Sequence, residues 1–161
     1  MTKDSSGILI RPFRPEDQAA AQGLILDGLV EHWGFLDPTK NPDLDDIAST
    51  YADGTFLVAW LGDDLVGTGA LVREADGVAR IVRMSVATHL RRRGIGTLVL
   101  KRLCGEARAA GYAQIVLETT STWEDAIAFY KRNGFRVIGS RDGDTHFVLD
   151  LAAPDAQSGE N

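Results

Sequence analysis

The sequence predicts an α/β fold: one domain on a mixed, mostly antiparallel sheet with helices on its faces. Three observations predict it. The chain has 161 residues, 44% of them apolar and 25% charged, which suits one domain with a real core. Short β-type runs and helical runs alternate in the order β-α-α-β-β-β-α-β-α-β-β. The strand-helix-strand unit at 78–119 needs parallel neighbours and a right-handed crossover, whereas the runs on either side of it read as antiparallel hairpins.

Residues 8–13 (Ile-Leu-Ile-Arg-Pro-Phe) read as the first strand, with Pro12 near its end. Pro15-Glu16-Asp17 opens a helix, because proline and acids suit the positive end of a first turn; it runs to about Leu29 or Glu31. Gly34, Pro38, Asn41 and Pro42 break the chain into a loop. Asp43 is placed to cap a short helix through Ala52. Residues 55–61 and 65–74 form a hairpin around Gly62-Asp63-Asp64, and Asp76-Gly77 turns the chain into a strand at 78–86. A helix follows from about Gly94 to Ala110 and stops at Gly111. Residues 115–119 are a strand and 124–133 a helix ended by Gly134. Residues 135–139 and 145–151 are strands turning at Asp142-Gly143. The domain closes near residue 152, and the small polar residues 153–161 are expected to form a frayed, disordered tail.

Composition excludes several classes. A net charge of −6 argues against nonspecific nucleic-acid binding. No apolar run approaches the ~20 residues of a membrane span, and the first residues lack a signal-peptide core, so a cytoplasmic location is expected. The one cysteine, Cys104, permits no internal disulfide and falls in an apolar helical run, where it reads as core. No metal site is expected. Charge is unevenly spread: Asp37 to Asp64 holds seven Asp and one Lys, while Arg80 to Arg93 holds five Arg and no acid. One region should repel anions and the other attract them.

The attracting region joins a strand to a helix through Arg91-Arg92-Arg93-Gly94-Ile95-Gly96. A helix N-terminus offers free backbone N–H groups and partial positive charge. Glycines let the backbone approach a bulky anion, and arginines add fixed charge, which together suit a pyrophosphate. Two nucleotide loops fit poorly. No lysine follows Gly96 as a P-loop requires. Val99 stands where a Rossmann fingerprint needs its third glycine, and this loop follows the fourth strand rather than the first.

Arg91-x-x-Gly94-x-Gly96, preceded by Arg83-Met-Ser-Val86, resembles motif A of the GCN5-related N-acetyltransferase (GNAT) superfamily. Ala126-Ile-Ala-Phe-Tyr-Lys-Arg-Asn-Gly-Phe135 resembles its motif B, Ile-Arg-Pro-Phe resembles its first strand, and the element order matches from about residue 8 to 151. The resemblance implies a sheet splayed between its fourth and fifth strands, with a bulge in the fourth. It implies acetyl-CoA as co-substrate. The pantetheine arm would pair with Met84 and Val86. The pyrophosphate would lie on Arg91, Arg92, Arg93, Gly94, Ile95, Gly96 and Thr97, with the Ile95 side chain turned into the core. The thioester would lie between the ends of strands 81–86 and 114–119. Tyr130 matches the family tyrosine near the CoA sulfur, a proton source or hydrogen-bond donor for the leaving thiolate; the other reading is a packed core aromatic.

An amine attacks a thioester only as the free base, and a lysine-like amine has a pKa near ~10.4, so a proton acceptor is needed. Many relatives carry Glu six positions before the valine matching Val86; this chain has Arg80. Glu118 is the replacement candidate, its alternative being an ion pair with a motif A arginine; His89 is a weaker one. Trp123 stands where motif B often has Asn. The resemblance implies a primary amine acceptor on a small molecule or peptide. The acidic and aromatic stretch from Glu31 to Asp46 would suit a cationic one, although Asp43, Asp45 and Asp46 also fit helix capping and first-turn charge. The function expected is N-acetyl transfer from acetyl-CoA. The alternative, favoured by Arg80 and Trp123, is a CoA-binding sensor or partner module that has lost catalysis. A homodimer is possible, since relatives often dimerise.

Overall fold

The computed structural model describes residues 2–3, 7–34, 37 and 40–151. The tail expectation for 153–161, and Phe35 and Leu36 of the acidic and aromatic stretch, lie outside these residues. The strands are β1 (Thr2–Lys3), β2 (Ile8–Pro12), β3 (Thr55–Leu61), β4 (Asp64–Ala75), β5 (Val78–Val86), β6 (Gln114–Thr120), β7 (Arg136–Arg141) and β8 (Asp144–Asp150). The helices are α1 (Gln18–Trp33), α2 (Ile47–Thr50), α3 (Ile95–Ala109) and α4 (Glu124–Arg132). The fold is α/β with a mixed sheet, as the element order predicts. The chain gathers into two units, Met1–Val72 with Val82–Leu103, and Arg73–Ile81 with Cys104–Asn161. Strands β4 and β5 and helix α3 each run through both.

In the first unit the strand order is β1-β2-β3-β4-β5. The two-residue β1, absent from the sequence reading because so short a run carries no pattern, pairs antiparallel with Leu9 and Ile10. Helix α1 reaches Trp33, beyond its expected end, because the chain finds its left-handed stop only at Gly34 (φ 81°), whose N–H bonds Val30 O at 2.7 Å. Ala21 and Ile25 of α1 pack with Leu44, Ile47, Phe56, Val58 and Ala70. The start of α1 is fixed by charge as well: Arg11 donates to both carboxylate oxygens of Asp17 at 2.7 and 2.9 Å, with both residues buried. Burial pushes the Asp17 carboxyl up, but the bonds from Arg11 and the Arg14 N–H outweigh it and hold it below the usual carboxylate value.

The region after α1 departs from the expected single helix. A 3₁₀ turn at Pro42–Asp45 precedes α2, and it is Asp46 that caps α2, accepting from the Ser49 N–H at 3.2 Å. Asp43 is not the cap, because its carboxylate is taken by Arg83 and Tyr51.

In the second unit the order is β4-β5-β6-β8-β7. Strands β5 and β6 are parallel over Val78–Arg80 and Gln114–Val116, where their pairing ends. Strand β6 pairs antiparallel with β8 along its whole length, and β8 with β7. Edge strand β7 is exposed throughout. Cys104 of α3 is buried, and burial pushes its thiol pKa up.

Candidate active site

Helix α3 begins where the sequence reading expects. The first bond into it runs from Leu98 N–H to Gly94 O at 3.0 Å, so the N–H groups of Ile95, Gly96 and Thr97 precede any intrahelical acceptor. Gly94 adopts φ +86°, and a Cβ there would meet nothing within 4 Å, leaving open space over the helix end. Arg92 also takes a left-handed backbone, φ 67°. Arg91, Arg92 and Arg93 are exposed, while the Ile95 side chain is 3% exposed and serves the core. The loop therefore presents backbone donors and three guanidinium groups to solvent, the arrangement a phosphate group requires.

Helix α1 braces this loop. The Arg91 guanidinium lies 2.9 Å from Glu31 Oε1, and the same oxygen accepts from the Thr88 hydroxyl at 2.8 Å. The first turn of α3 is set down on β4 through alternate glycines. A Cβ at Gly67 would lie 3.0 Å from Ile95 Cγ2, and one at Gly69 would lie 2.7 to 2.9 Å from Met84 Sδ, Val99 Cγ1 and Leu103 Cδ1. The sequence reading missed these two residues. Their signal is a Gly-x-Gly spacing inside a strand, which puts both on one face and marks a close approach.

Strand β5 contains one residue with left-handed backbone. Arg83 sits at φ 58° within the strand, and its carbonyl accepts from the buried Thr68 hydroxyl at 2.8 Å. The guanidinium donates to Asp43 at 2.9 and 2.6 Å and to Asn41 at 3.0 Å; Tyr51 donates to Asp43 at 2.7 Å. Burial pushes the Asp43 carboxyl up, but the bonds from Arg83 and Tyr51 hold it lowered overall. Burial and the bond to Asp43 push the Tyr51 phenol to about 12. Asp43 is thus neutralised internally, and Asp46 serves as a cap. Two of the carboxylates expected to attract a cationic acceptor are already committed.

A recess of about 670 Å³ opens beside the end of β5, lined in part by Asp27, Trp60, Asp63, Asp64, Val86 and His89. Its three carboxylates make it a poor place for phosphates. Among the described residues no group of three His, Cys, Asp or Glu side chains could hold a metal ion, and no helix is long and apolar enough to cross a membrane.

In the second unit, Tyr130 of α4 is buried at 8% exposure, its ring 5.1, 5.8 and 5.6 Å from those of Phe129, Phe135 and Phe147. Burial pushes its phenol pKa well up, so it holds its proton throughout the working pH range. Glu118 of β6 accepts from Arg80, which also donates to Glu74 at 2.8 Å. Glu118 is thus in an ion pair, with Arg80 as its partner and not an arginine of motif A.

The model of the acetyltransferase (GNAT) family matches residues 24–135, which include the arginine loop, both strand glycines and Tyr130. The chain belongs to the GNAT family. A GNAT relative from Azospirillum brasilense, an IAA acetyltransferase, is 34% identical over 113 residues, covering 69% of this chain and 74% of that one. The N-acetylaspartate synthetase of Danio rerio is 34% identical over 112 residues, 67% of this chain but 40% of its own, so the chain spans well under half of that relative. The fold is that of the PaiA N-acetyltransferase from Thermoplasma acidophilum, solved in complex with coenzyme A: TM-score 0.79 at 18% identity, covering 89% of this chain and 99% of that one.

Proposed function

We propose that this GNAT protein transfers the acetyl group of acetyl-CoA to a primary amine of a small molecule or peptide by direct attack on the thioester. The observation that carries the reading is the arginine loop at the start of α3, with its uncommitted N–H groups at 95–97, open Gly94 and exposed Arg91 to Arg93. The N-acetyltransferase relatives support it, as does the CoA held by the Thermoplasma acidophilum neighbour. Arg91, Arg92, Arg93, Gly94, Ile95, Gly96 and Thr97 would hold the pyrophosphate, and the backbone of Met84 and Val86 the pantetheine arm. Acetyl-CoA supplies an acyl group already activated as a thioester. Tyr130 is assigned a hydrogen bond to the departing thiolate, a role that its burial suits by keeping the phenol protonated, while the proton lost from the amine nitrogen passes to solvent.

Glu118, the candidate base, is occupied by Arg80. We assign it to that ion pair, and the amine then enters as free base from solvent. With Asp43 and Asp46 committed, the acceptor need not be cationic.

Acetyl-CoA with an amine panel, followed by mass spectrometry of the products and by thiol release, tests the reading. Tyr130→Phe should lower kcat by about tenfold or more, the worth of one hydrogen bond made to the departing sulfur, with a smaller change in CoA affinity. An unchanged kcat removes Tyr130 from the mechanism. CoA binding without acetyl transfer to any amine would overturn the enzyme assignment.

A further inference from the structure

We propose that Arg83 is a positioning residue that ties the segment Asn41–Tyr51 to the donor strand, so that CoA on β5 fixes this segment as the wall beside the acceptor amine. The inference rests on the donor reading above.

The first ground is backbone. A non-glycine residue at φ 58° inside a strand is strained, and such strain persists only where the surroundings over-determine it. Here the Thr68 hydroxyl holds the Arg83 carbonyl, and Asp43 and Asn41 hold the guanidinium. With this backbone, the side chain reaches Asp43 and Asn41 of that segment.

The second ground is that the segment is held at few points. Leu44 and Ile47 are fully buried. Gln18 of α1 donates to Leu44 O at 2.7 Å and accepts from Ile47 N–H at 3.0 Å. Opposite these stands the Arg83–Asp43 bridge, with Tyr51 bonded to the same carboxylate and its ring 5.2 Å from Phe56. Helix α2 itself is four residues long and contributes little rigidity. The charged bridge is a polar link to β5, whose Val82 also packs against the cluster holding Leu44 and Ile47.

The third ground is order along the strand. On that donor reading the pyrophosphate would lie beyond Val86, and the pantetheine arm would run back over Val86 and Met84. The next residue toward the thioester is Arg83, so the segment it holds meets the acceptor's end of the donor. Stiffening Met84–Val86 with ligand therefore stiffens the neighbouring anchor.

Amide hydrogen exchange with and without CoA tests this on the full chain. In the wild type, saturating CoA should slow exchange at Leu44–Tyr51 by about threefold or more; in Arg83→Gly, where glycine accepts the left-handed backbone, the slowing should fall below about 1.5-fold while the CoA Kd stays within about twofold. Arg83→Lys should fall between. Asp43→Asn, which keeps the shape and removes the charge, should lose the CoA effect as Arg83→Gly does, and it decides the matter if that variant does not fold. A purely structural role would change exchange equally with and without CoA. Equal CoA-dependent slowing in wild type and variants, or none in the loaded wild type, overturns the proposal. Failure of the wild type to bind CoA at all overturns the donor reading, and this inference with it.

Discussion

Replacing Gly69 with alanine tests how closely α3 and β4 must approach. The added Cβ would stand 2.7 Å from Met84 Sδ, 2.8 Å from Val99 Cγ1 and 2.9 Å from Leu103 Cδ1. Real Cβ atoms do not sit this close, so something must move. Met84 can swing its thioether away, but Val99 and Leu103 are fully buried and lie on the same helix face, so relief of one contact does not relieve the others. Overpacking of this kind costs about 1–3 kcal/mol, and the loss of glycine's unfolded-state freedom returns about 0.4–1 kcal/mol. Three simultaneous contacts under 3.0 Å put the overpacking cost in the upper part of its range, about 2–3 kcal/mol, so the net destabilisation should be about 1–2.6 kcal/mol, a fall in Tm of roughly 2–10 °C for a chain of this length. Gly105→Ala is the control. It lies on the same helix with nothing within 4 Å of its Cβ, and should stabilise by about 0.8–1 kcal/mol through helix propensity alone. Thermal unfolding of both variants reads the difference. The Gly69 variant should also bind CoA more weakly if Met84 pairs with the pantetheine arm as proposed. A Gly69→Ala Tm within about 1 °C of wild type would refute the close-packing argument, since even 1 kcal/mol should move it by 2–4 °C.

Asp17→Asn should cost about 3–5 kcal/mol, because it leaves the Arg11 charge buried without its partner. Because the folded Asp17 pKa is lowered, its contribution is complete above the unfolded carboxylate value and is lost as pH falls through the folded one; urea titrations from pH 6 down to 2 should show a shallower acid limb in the variant. Arg93→Ala should weaken CoA binding several-fold at low salt and less at ~0.5 M NaCl, because exposed charges are screened; calorimetry at two salt concentrations reads this, and a salt-independent loss would contradict a phosphate role. With Glu118 held by Arg80, kcat/KM for a lysine-like amine should rise tenfold per pH unit up to about pH 9, tracking the free base. A plateau near pH 7 that Glu118→Gln removes would return Glu118 to the role of base.

The arginine loop was legible because every component is local. A strand end, glycines at 94 and 96 and three successive arginines all fall within one short stretch, and the helix that follows supplies the N–H groups. The long-range partners were not legible. Arg83 and Asp43 are 40 positions apart, and nothing local distinguishes an aspartate that caps a helix from one that receives a distant guanidinium. The cap therefore moved to Asp46. The left-handed backbone at Arg83 carries no local mark either, since glycine, the usual sign, is absent. Glu118 was located on the correct strand, but its pairing with Arg80 depends on the parallel register of β5 and β6, which a strand prediction does not supply. Likewise β8 comes last among the strands yet lies between β6 and β7, a matter of register and not of composition.

Cys104 has a practical consequence for any enzymology on this chain. Thiol reagents react with the thiolate, and the one sulfhydryl of the chain is buried in α3 with its acidity suppressed. The native protein should therefore be nearly silent to a colorimetric disulfide reagent, while CoA released by the proposed reaction would not be. Progress curves can be followed continuously at high enzyme concentration with little blank. The same reagent added to unfolded chain should count one thiol, so a rising blank during an assay would itself report loss of the native fold.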